Sequence, residues 1–176
     1  MSRRSASRLI AAVTSLAGFG LCTLVVLPAA LAGGGHDAAA AALRAALHPL
    51  CHQMPERSFA IGGSPLAVCA RCAGLYAGFL AGCLAILALG FIRRSPLRPP
   101  GRGLLLAAVA PSAVEWALER SGISTGSPTL RALAGGLLAF IVAFYFLPAL
   151  DEIGPEIARG YRRFASPKES THAEAS

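Results

Sequence analysis

Residues 69–92 read CARCAGLYAGFLAGCLAILALGFI, a run of 24 residues in which Arg71 is the only charged side chain. A helix needs about 20 apolar residues to cross the hydrocarbon core of a bilayer. The run therefore predicts a transmembrane helix, and three other apolar runs in the chain have the same character. The four predicted spans cover residues 9–32, 69–92, 103–118 and 132–150.

The composition agrees with a membrane protein. Hydrophobic residues make up 55% of the 176 residues, charged residues make up 14%, and the mean hydropathy is +0.58. An ordinary soluble domain has about a quarter of its residues charged, and a disordered chain has low hydrophobicity, so both classes are excluded. We predict an all-α fold, an integral membrane bundle of about four transmembrane helices with a short exported loop and helix. It forms one domain over residues 1–165, followed by a disordered cytoplasmic tail over residues 166–176.

The formal net charge of +7 indicates an orientation in the membrane. Short cytoplasmic loops collect Lys and Arg. If the chain crosses four times, eleven basic residues share the side of the termini: Arg3, Arg4, Arg8, Arg93, Arg94, Arg98, Arg102, Arg159, Arg162, Arg163 and Lys168. The other side has five: Arg44, Arg57, Arg71, Arg120 and Arg131. We therefore expect a multi-pass protein of the inner (plasma) membrane with both termini in the cytoplasm, a lipid bilayer as its partner and no nucleic-acid binding.

The first apolar run has two interpretations. Its length favours a retained anchor, whereas Arg3, Arg4 and Arg8 followed by the small-residue sequence Ala30-Leu31-Ala32 are also typical of a cleaved signal peptide. Both interpretations export the segment that follows. That segment includes a short helix predicted from Asp37 to Leu50 and ending near Pro49, and we find no β-strand pattern in it.

Cysteine and histidine residues gather in and beside the exported segment. Cys69 and Cys72 open the second span with Cys-x-x-Cys spacing, which places both sulfurs on one face of a helix. Cys51 and His52 offer a third sulfur and an imidazole, and three sulfurs with one nitrogen match a closed tetrahedral zinc site. The leading hypothesis is therefore a transition-metal site, preferably for zinc, with a structural or sensing role. His48 is an alternative nitrogen ligand, and Met54 would add a thioether for copper.

The same cysteines allow two other interpretations. Cys69 and Cys72 are also typical of a redox pair, which would make the protein a membrane thiol–disulfide oxidoreductase that exchanges electrons with quinone, with Cys51 as the attacking or resolving thiol. A structural disulfide that ties the loop to the bundle is the third interpretation, since exported compartments are oxidising. Nothing in the sequence requires an enzymatic activity.

Two motifs resemble those of a known family. The first is Cys51-His52-Gln53-x-Pro55-Glu56-Arg57-Ser58-Phe59, followed by Gly62, and the second is Cys69-x-Arg71-Cys72-x-Gly74-x-Tyr76-x-Gly78-Phe79-x-x-Gly82. In this order they are similar to a group of small prokaryotic membrane proteins that is known only as a domain of unknown function. The resemblance covers about residues 47–140. It implies a helical membrane protein with the Cys and His residues as its signature, and it implies no activity.

Charged residues inside the predicted spans are costly and are functional by default. Glu115 lies in the outer half of the third span, about 18 Å from its inner end. Arg71 and Arg131 begin the second and fourth spans at a similar depth. We expect an ion pair between Glu115 and Arg131 that fixes helix packing. The alternative is that Glu115, with Arg71, Arg131 and His48, orients the ligands of the cysteine site or relays protons to it.

Gly74, Gly78 and Gly82 recur every four residues along the second span. They form a stripe of small residues that allows another helix to approach closely. Packing within the bundle is the first interpretation of this stripe. The alternative is a contact with a membrane-protein partner, in which case the chain would be a small structural subunit of a larger membrane complex.

Overall fold

The structure, a computed structural model, describes residues 3–92, 99–123 and 126–165. In these ranges the chain is almost entirely helical. The helices are α1 (Arg3–Gly33), α2 (Asp37–Leu47), α3 (Ala70–Ile92), α4 (Arg102–Arg120) and α5 (Pro128–Ala165). Each of the four predicted spans lies in a helix, except that Cys69 directly precedes α3, and this confirms the all-α class. The predicted disordered tail and the residues Arg93, Arg94 and Arg98 lie outside the described residues.

Three of the described helices are long and apolar enough to cross a membrane. Their apolar segments are Ser5–Gly33, Ala70–Gly90 and Pro128–Ile153. Helix α4 has 19 residues, enough for about 28 Å of helix, but Glu115, Glu119 and its terminal arginines make it less apolar. Length and composition alone therefore give three candidate spans. Whether α4 is a fourth has to be argued from the directions in which the neighbouring helices run.

Helices α3 and α5 pack side by side and run in the same direction. Gly74 lies against Ala132, Gly78 against Gly136, and Gly82 against Phe140 and Ala143. A Cβ atom at Gly74 or Gly78 would overlap the backbone carbonyl of the facing residue. The predicted glycine stripe is thus in contact with another helix of the same chain. Because α3 and α5 are parallel, the chain between them has to return along the bundle.

Helix α4 makes that return, and α1 runs antiparallel to α3. At one end of the bundle the Tyr145 hydroxyl donates to the Gly101 carbonyl over 2.9 Å, next to the start of α4. At the same end the Arg8 guanidinium donates to the Gly90 carbonyl over 3.0 Å. The start of α1, the end of α3 and the start of α4 therefore lie together, and the segment between α1 and α3 lies at the opposite end.

The segment between α1 and α3 has its own local structure. Helix α2 begins at Asp37, as predicted, but ends at Leu47, three residues before the predicted end at Leu50, and a 3-10 turn, His48–Leu50, follows it. A second 3-10 turn covers Pro55–Arg57. The structure then adds a hairpin that our sequence pattern did not predict.

The hairpin pairs β1 (Ala60–Ile61) with β2 (Ser64–Pro65) in antiparallel register. Gly62 and Gly63 have φ of 57° and 82°, and two consecutive residues with positive φ are what the tightest hairpin turn requires. Strands of two residues are too short to show alternation. The Gly-Gly pair was therefore the only signal for this hairpin in the sequence.

Candidate metal centre

The sulfur atoms of Cys51, Cys69 and Cys72 all lie within 4.8 Å of one another. Cys51 directly follows the 3-10 turn after α2, Cys69 directly precedes α3, and Cys72 lies in the first turn of α3. All three thiols are free, as are those of Cys22 and Cys83, which lie in α1 and α3 away from the group. The structure therefore brings together three of the four predicted ligands.

Backbone amides at the start of α3 orient this group. The first N–H groups of a helix have no partner within the helix and favour negative charge. The N–H of Cys69 donates to the Cys51 sulfur over 3.2 Å, which links the loop to the helix start. The N–H groups of Arg71 and Cys72 donate to the Cys69 sulfur. Sulfur at this position is thus surrounded by donors suited to a thiolate.

The donors lower the pKa of Cys69, which lies one residue before the apolar span. The Cys72 thiol makes the largest contribution, because its hydrogen bond to the Cys69 sulfur favours the thiolate. Burial opposes this effect, while the N–H of Cys72, the Cys51 thiol and the N–H of Arg71 add to it. Together they bring the pKa of Cys69 from 9.0 to about 5. Cys69 is therefore largely a thiolate at neutral pH, the form that binds metals and attacks disulfides.

The sulfur group lies in an apolar environment. Cys51 is 7% exposed and packs with buried side chains of α1 and of the loop. The three cysteines belong to an apolar cluster that also includes Val25, Ala29, Phe59, Leu66, Val68, Ala73 and Tyr76. Such surroundings limit the access of water, which strengthens interactions between a cation and thiolates.

His52, the expected fourth ligand, lies outside the group and is exposed. The backbone explains this placement. Cys51 is extended, with φ of −156° and ψ of 141°, and successive side chains of an extended chain point in opposite directions. Burial of the Cys51 side chain therefore sends that of His52 outward. His48 is exposed as well.

Two polar side chains hold the loop beside the cysteines, and neither was singled out from the sequence. The Arg44 guanidinium donates to the Pro65 carbonyl over 2.5 Å, and the Gln53 amide donates to the Arg44 carbonyl over 2.7 Å. Gln53 has φ of 52°, a conformation that residues other than glycine adopt rarely. The only feature of the sequence that indicated a role for Gln53 was its place between Cys51 and Pro55 in the first motif. No feature of the sequence indicated a role for Arg44.

The charged residues predicted inside the bundle form an ion-pair network. Arg71 Nη2 lies 2.5 Å from Glu115 Oε2, and Arg131 Nε lies 3.3 Å from Glu115 Oε1. Arg131 also pairs with Glu119, its Nε lying 2.6 Å from Glu119 Oε1. The side chain of Arg131 is 8% exposed and that of Glu115 is 12% exposed. The expected Glu115–Arg131 pair is therefore present, and Arg71 and Glu119 extend it.

A comparison with protein families gives a match over residues 51–145, to the family described as "Predicted membrane protein (DUF2085)". This range starts at Cys51 and includes Cys69, Cys72 and the residues of the ion-pair network. The chain belongs to this family. The resemblance inferred from the two motifs is confirmed, and a membrane protein is what both the family and the three apolar helices indicate.

A comparison with known proteins also finds a relative of this chain. An uncharacterised protein of Methanocaldococcus jannaschii is 38% identical over 105 residues, which cover 59% of this chain and 65% of the archaeal protein. The chain thus spans somewhat less than two thirds of that relative. No solved structure matches the chain.

Proposed function

We propose that this protein binds a transition-metal ion through the thiolates of Cys51, Cys69 and Cys72, with Zn²⁺ as the preferred ion and a structural or sensing role. The observation that carries the proposal is the approach of the three sulfurs to within 4.8 Å. In a tetrahedral site with Zn–S bonds of about 2.3 Å, neighbouring sulfurs are about 3.8 Å apart. A contraction of at most about 1 Å would therefore bring the sulfurs to the separations of a tetrahedral site.

The donor set supports a soft or borderline cation. Thiolates select Zn²⁺ and Cu⁺ over Mg²⁺ and Ca²⁺. The Cys69 pKa of about 5 means that this ligand needs no proton removed at neutral pH. Three protein ligands leave the fourth position of a tetrahedral ion to water or to an external ligand.

We further propose that the site faces the exterior of the inner membrane and that both termini face the cytoplasm. The basic residues at the start of α1 and the end of α5 support this orientation through the preference of Lys and Arg for the cytoplasmic side. The parallel packing of α3 and α5 supports α4 as a fourth crossing. The glutamates of α4 that face Arg71 and Arg131 are paired, which reduces the cost of placing them within the bilayer.

Metal analysis of the purified, reduced protein in detergent tests the metal site. The protein is stripped with a chelator, incubated with Zn²⁺, desalted and measured by elemental mass spectrometry. We expect about one Zn²⁺ per chain, and loss of this ion in Cys51→Ala and Cys72→Ala variants. Cys22→Ala is the matched control, since Cys22 lies in α1 outside the group. A wild type that retains no Zn²⁺, and no Cu⁺ in a parallel incubation with that ion, would overturn the proposal.

A second candidate function is thiol–disulfide exchange, which the low pKa of Cys69 favours. In this reaction the Cys69 and Cys72 thiols form an S–S bond and release two electrons and two protons. A membrane quinone accepts both and becomes a quinol. Cys51 would then serve as the third thiol that exchanges with a disulfide-bonded substrate.

Thiol counting separates the two functions. Under the metal proposal, the three thiols are protected from alkylation when Zn²⁺ is present and become reactive when a chelator is added. Under the redox proposal, an oxidised quinone analogue converts two thiols into a disulfide, and Zn²⁺ is not retained. The disulfide is identified by peptide mass spectrometry between Cys69 and Cys72.

A further inference from the structure

Arg71 connects the cysteine site to helix α4. It lies between Cys69 and Cys72 in the sequence, and its N–H donates to the Cys69 sulfur. Its guanidinium lies 2.5 Å from the Glu115 carboxylate of α4. One residue therefore contacts the site with its backbone and a neighbouring helix with its side chain.

Glu115 is well placed to hold Arg71 firmly. Its side chain is 12% exposed, and its other carboxylate oxygen lies 3.3 Å from Arg131 Nε on α5. Arg131 is itself paired with Glu119. The carboxylate thus has an arginine on each side: Oε2 is hydrogen-bonded to Arg71, and Oε1 pairs with Arg131 by charge alone. Glu115 is mostly buried while the Arg71 side chain is 31% exposed, and burial of the carboxylate strengthens the pair relative to one at a fully exposed surface.

Helix α4 has little other attachment to α3. Ala108 is the buried residue of α4, while Leu106, Val114 and Trp116 are exposed by 72%, 57% and 57%. The packing of α4 is directed at α5, so apolar contacts contribute little to holding α4 against α3. The Arg71–Glu115 pair is the polar contact between the described residues of α3 and α4.

We propose that Arg71 is a positioning residue: Glu115 clamps its guanidinium, and the clamped residue holds the first turn of α3, with Cys69 and Cys72, in the geometry that binds the metal. This inference rests on the proposed metal-binding function. Without the clamp, the first turn of α3 has more freedom, and metal binding has to order it. Residues that orient metal ligands typically change metal affinity 10- to 100-fold when they are replaced.

The coupling works in both directions. If the Arg71–Glu115 pair favours metal binding, then metal binding favours the pair by the same factor, because linkage is reciprocal. The metal would thus strengthen the attachment of α4 to α3. The cysteine site would then report metal occupancy to a helix that has few other contacts with α3.

A double-mutant cycle on metal affinity tests the clamp. The Zn²⁺ Kd is measured by chelator competition for the wild type, Arg71→Met, Glu115→Gln and the double variant, each as the full chain in detergent. We expect each single variant to bind about 10-fold more weakly. The double variant should also bind about 10-fold more weakly, because the second change removes an interaction that is already broken. Glu152→Gln is the matched control, since Glu152 is exposed on α5 outside this ion-pair network and should leave Kd within 2-fold.

Two further measurements separate positioning from general destabilisation. Co²⁺ substitution gives a sulfur-to-metal charge-transfer band, which should shift in Glu115→Gln and stay unchanged in Glu152→Gln. Arg71→Lys keeps a cation that can reach Glu115, and it should recover most of the affinity that Arg71→Met loses.

The outcomes are distinguishable. Absence of Zn²⁺ binding in the wild type overturns the proposed function together with the clamp. Binding by the wild type with an unchanged Kd in Glu115→Gln overturns the clamp alone. A double variant about 100-fold weaker than the wild type would also overturn it, because independent effects multiply. The same holds if Arg71→Lys unfolds at the wild-type temperature but binds as weakly as Arg71→Met.

Discussion

Cys51 and His52 are neighbours in the chain, yet one side chain is buried in the sulfur group and the other is exposed. The difference arises from the extended backbone at Cys51, which alternates the directions of successive side chains. At the residue scale, the chemical nature of a side chain therefore does not decide whether it is a ligand. The local backbone conformation decides which of two adjacent donors faces the site.

This geometry predicts unequal effects of the two residues on metal binding. We expect Cys51→Ala to weaken Zn²⁺ binding at least 100-fold, because it removes one of three thiolates. His52→Ala should change the Kd by less than 3-fold. Chelator competition measures both, and His48→Ala provides a second exposed histidine as control. A large loss in His52→Ala alone would show that the loop rearranges to bring the imidazole to the metal.

The pKa of Cys69 predicts reactivity at low pH. In reduced, metal-free protein, a pKa of about 5 keeps Cys69 mainly as thiolate at pH 6.5, whereas a cysteine that keeps the unshifted pKa of 9.0 is less than about 1% thiolate there. Alkylation of Cys69, followed by peptide mass spectrometry, should therefore have a midpoint near pH 5.

A Cys72 variant tests whether the Cys72 thiol is the cause of the low pKa of Cys69. The Cys72 thiol makes the largest contribution to the low pKa, so Cys72→Ala should move the alkylation midpoint of Cys69 to higher pH. A wild-type midpoint above pH 8 would contradict the hydrogen-bonding pattern at the start of α3.

Much of this site could be predicted from the sequence. Cys-x-x-Cys spacing places Cys69 and Cys72 on one face of a helix, and the charges inside the spans identified Glu115, Arg71 and Arg131. The position of His52 could not be predicted, because it depends on the φ and ψ of Cys51. Arg44 could not be found either, since its contact with Pro65 joins residues brought together by the folded loop.

At the scale of elements, the contact between α3 and α5 determines the architecture. Gly74, Gly78 and Gly82 let the two backbones approach so closely that side chains at these positions would overlap the facing helix. The glycine spacing predicted such an approach but not its partner or direction. Those depend on which helix offers a complementary surface, here Ala132 and Gly136.

Two glycines of α3 provide a matched test of this contact. Gly78→Ala should destabilise the protein by about 1–3 kcal/mol, the usual cost of overpacking, because its Cβ would overlap the Gly136 carbonyl. Gly90→Ala should be neutral or slightly stabilising, since nothing lies within 4 Å of a Cβ there and alanine favours helix. Thermal unfolding in detergent measures both. Equal unfolding temperatures for the two variants would contradict the packing of α3 against α5.

Helix α4 is the predicted span that length and composition do not select. Its charged residues lower its hydropathy, so length and composition select three helices and leave α4 out. In the bundle, however, the carboxylates of Glu115 and Glu119 face arginines of α3 and α5. Charges that are paired inside a bundle do not face lipid, and they are compatible with a crossing that a hydropathy average excludes.

At the scale of the whole molecule, the parallel arrangement of α3 and α5 predicts that both termini lie on one side of the membrane. Reporter fusions at the N- and C-termini should both be active in the cytoplasm.

Labelling of exposed residues at the two ends of the bundle is an independent test of the same orientation. In a background without native cysteines, Ile61→Cys should react with a membrane-impermeant maleimide in intact cells, and Gly101→Cys should react only after permeabilisation.

The location of the C-terminal reporter depends on whether the chain crosses the membrane three or four times. If α4 did not cross, α5 would run in the opposite direction relative to the membrane, and the C-terminal reporter would lie outside while the N-terminal reporter stayed inside. That result would contradict both the fourth span and the parallel packing seen at the glycine stripe.

X-ray absorption spectroscopy of the Zn²⁺-loaded protein tests the central claim most directly, because it reports the atoms bound to the metal. We predict three sulfur atoms at about 2.3 Å and one lighter atom at about 2.0–2.1 Å. Cys72→Ala should reduce the sulfur count to two or abolish binding. A first shell made only of nitrogen and oxygen atoms would show that the three cysteines do not form the metal site.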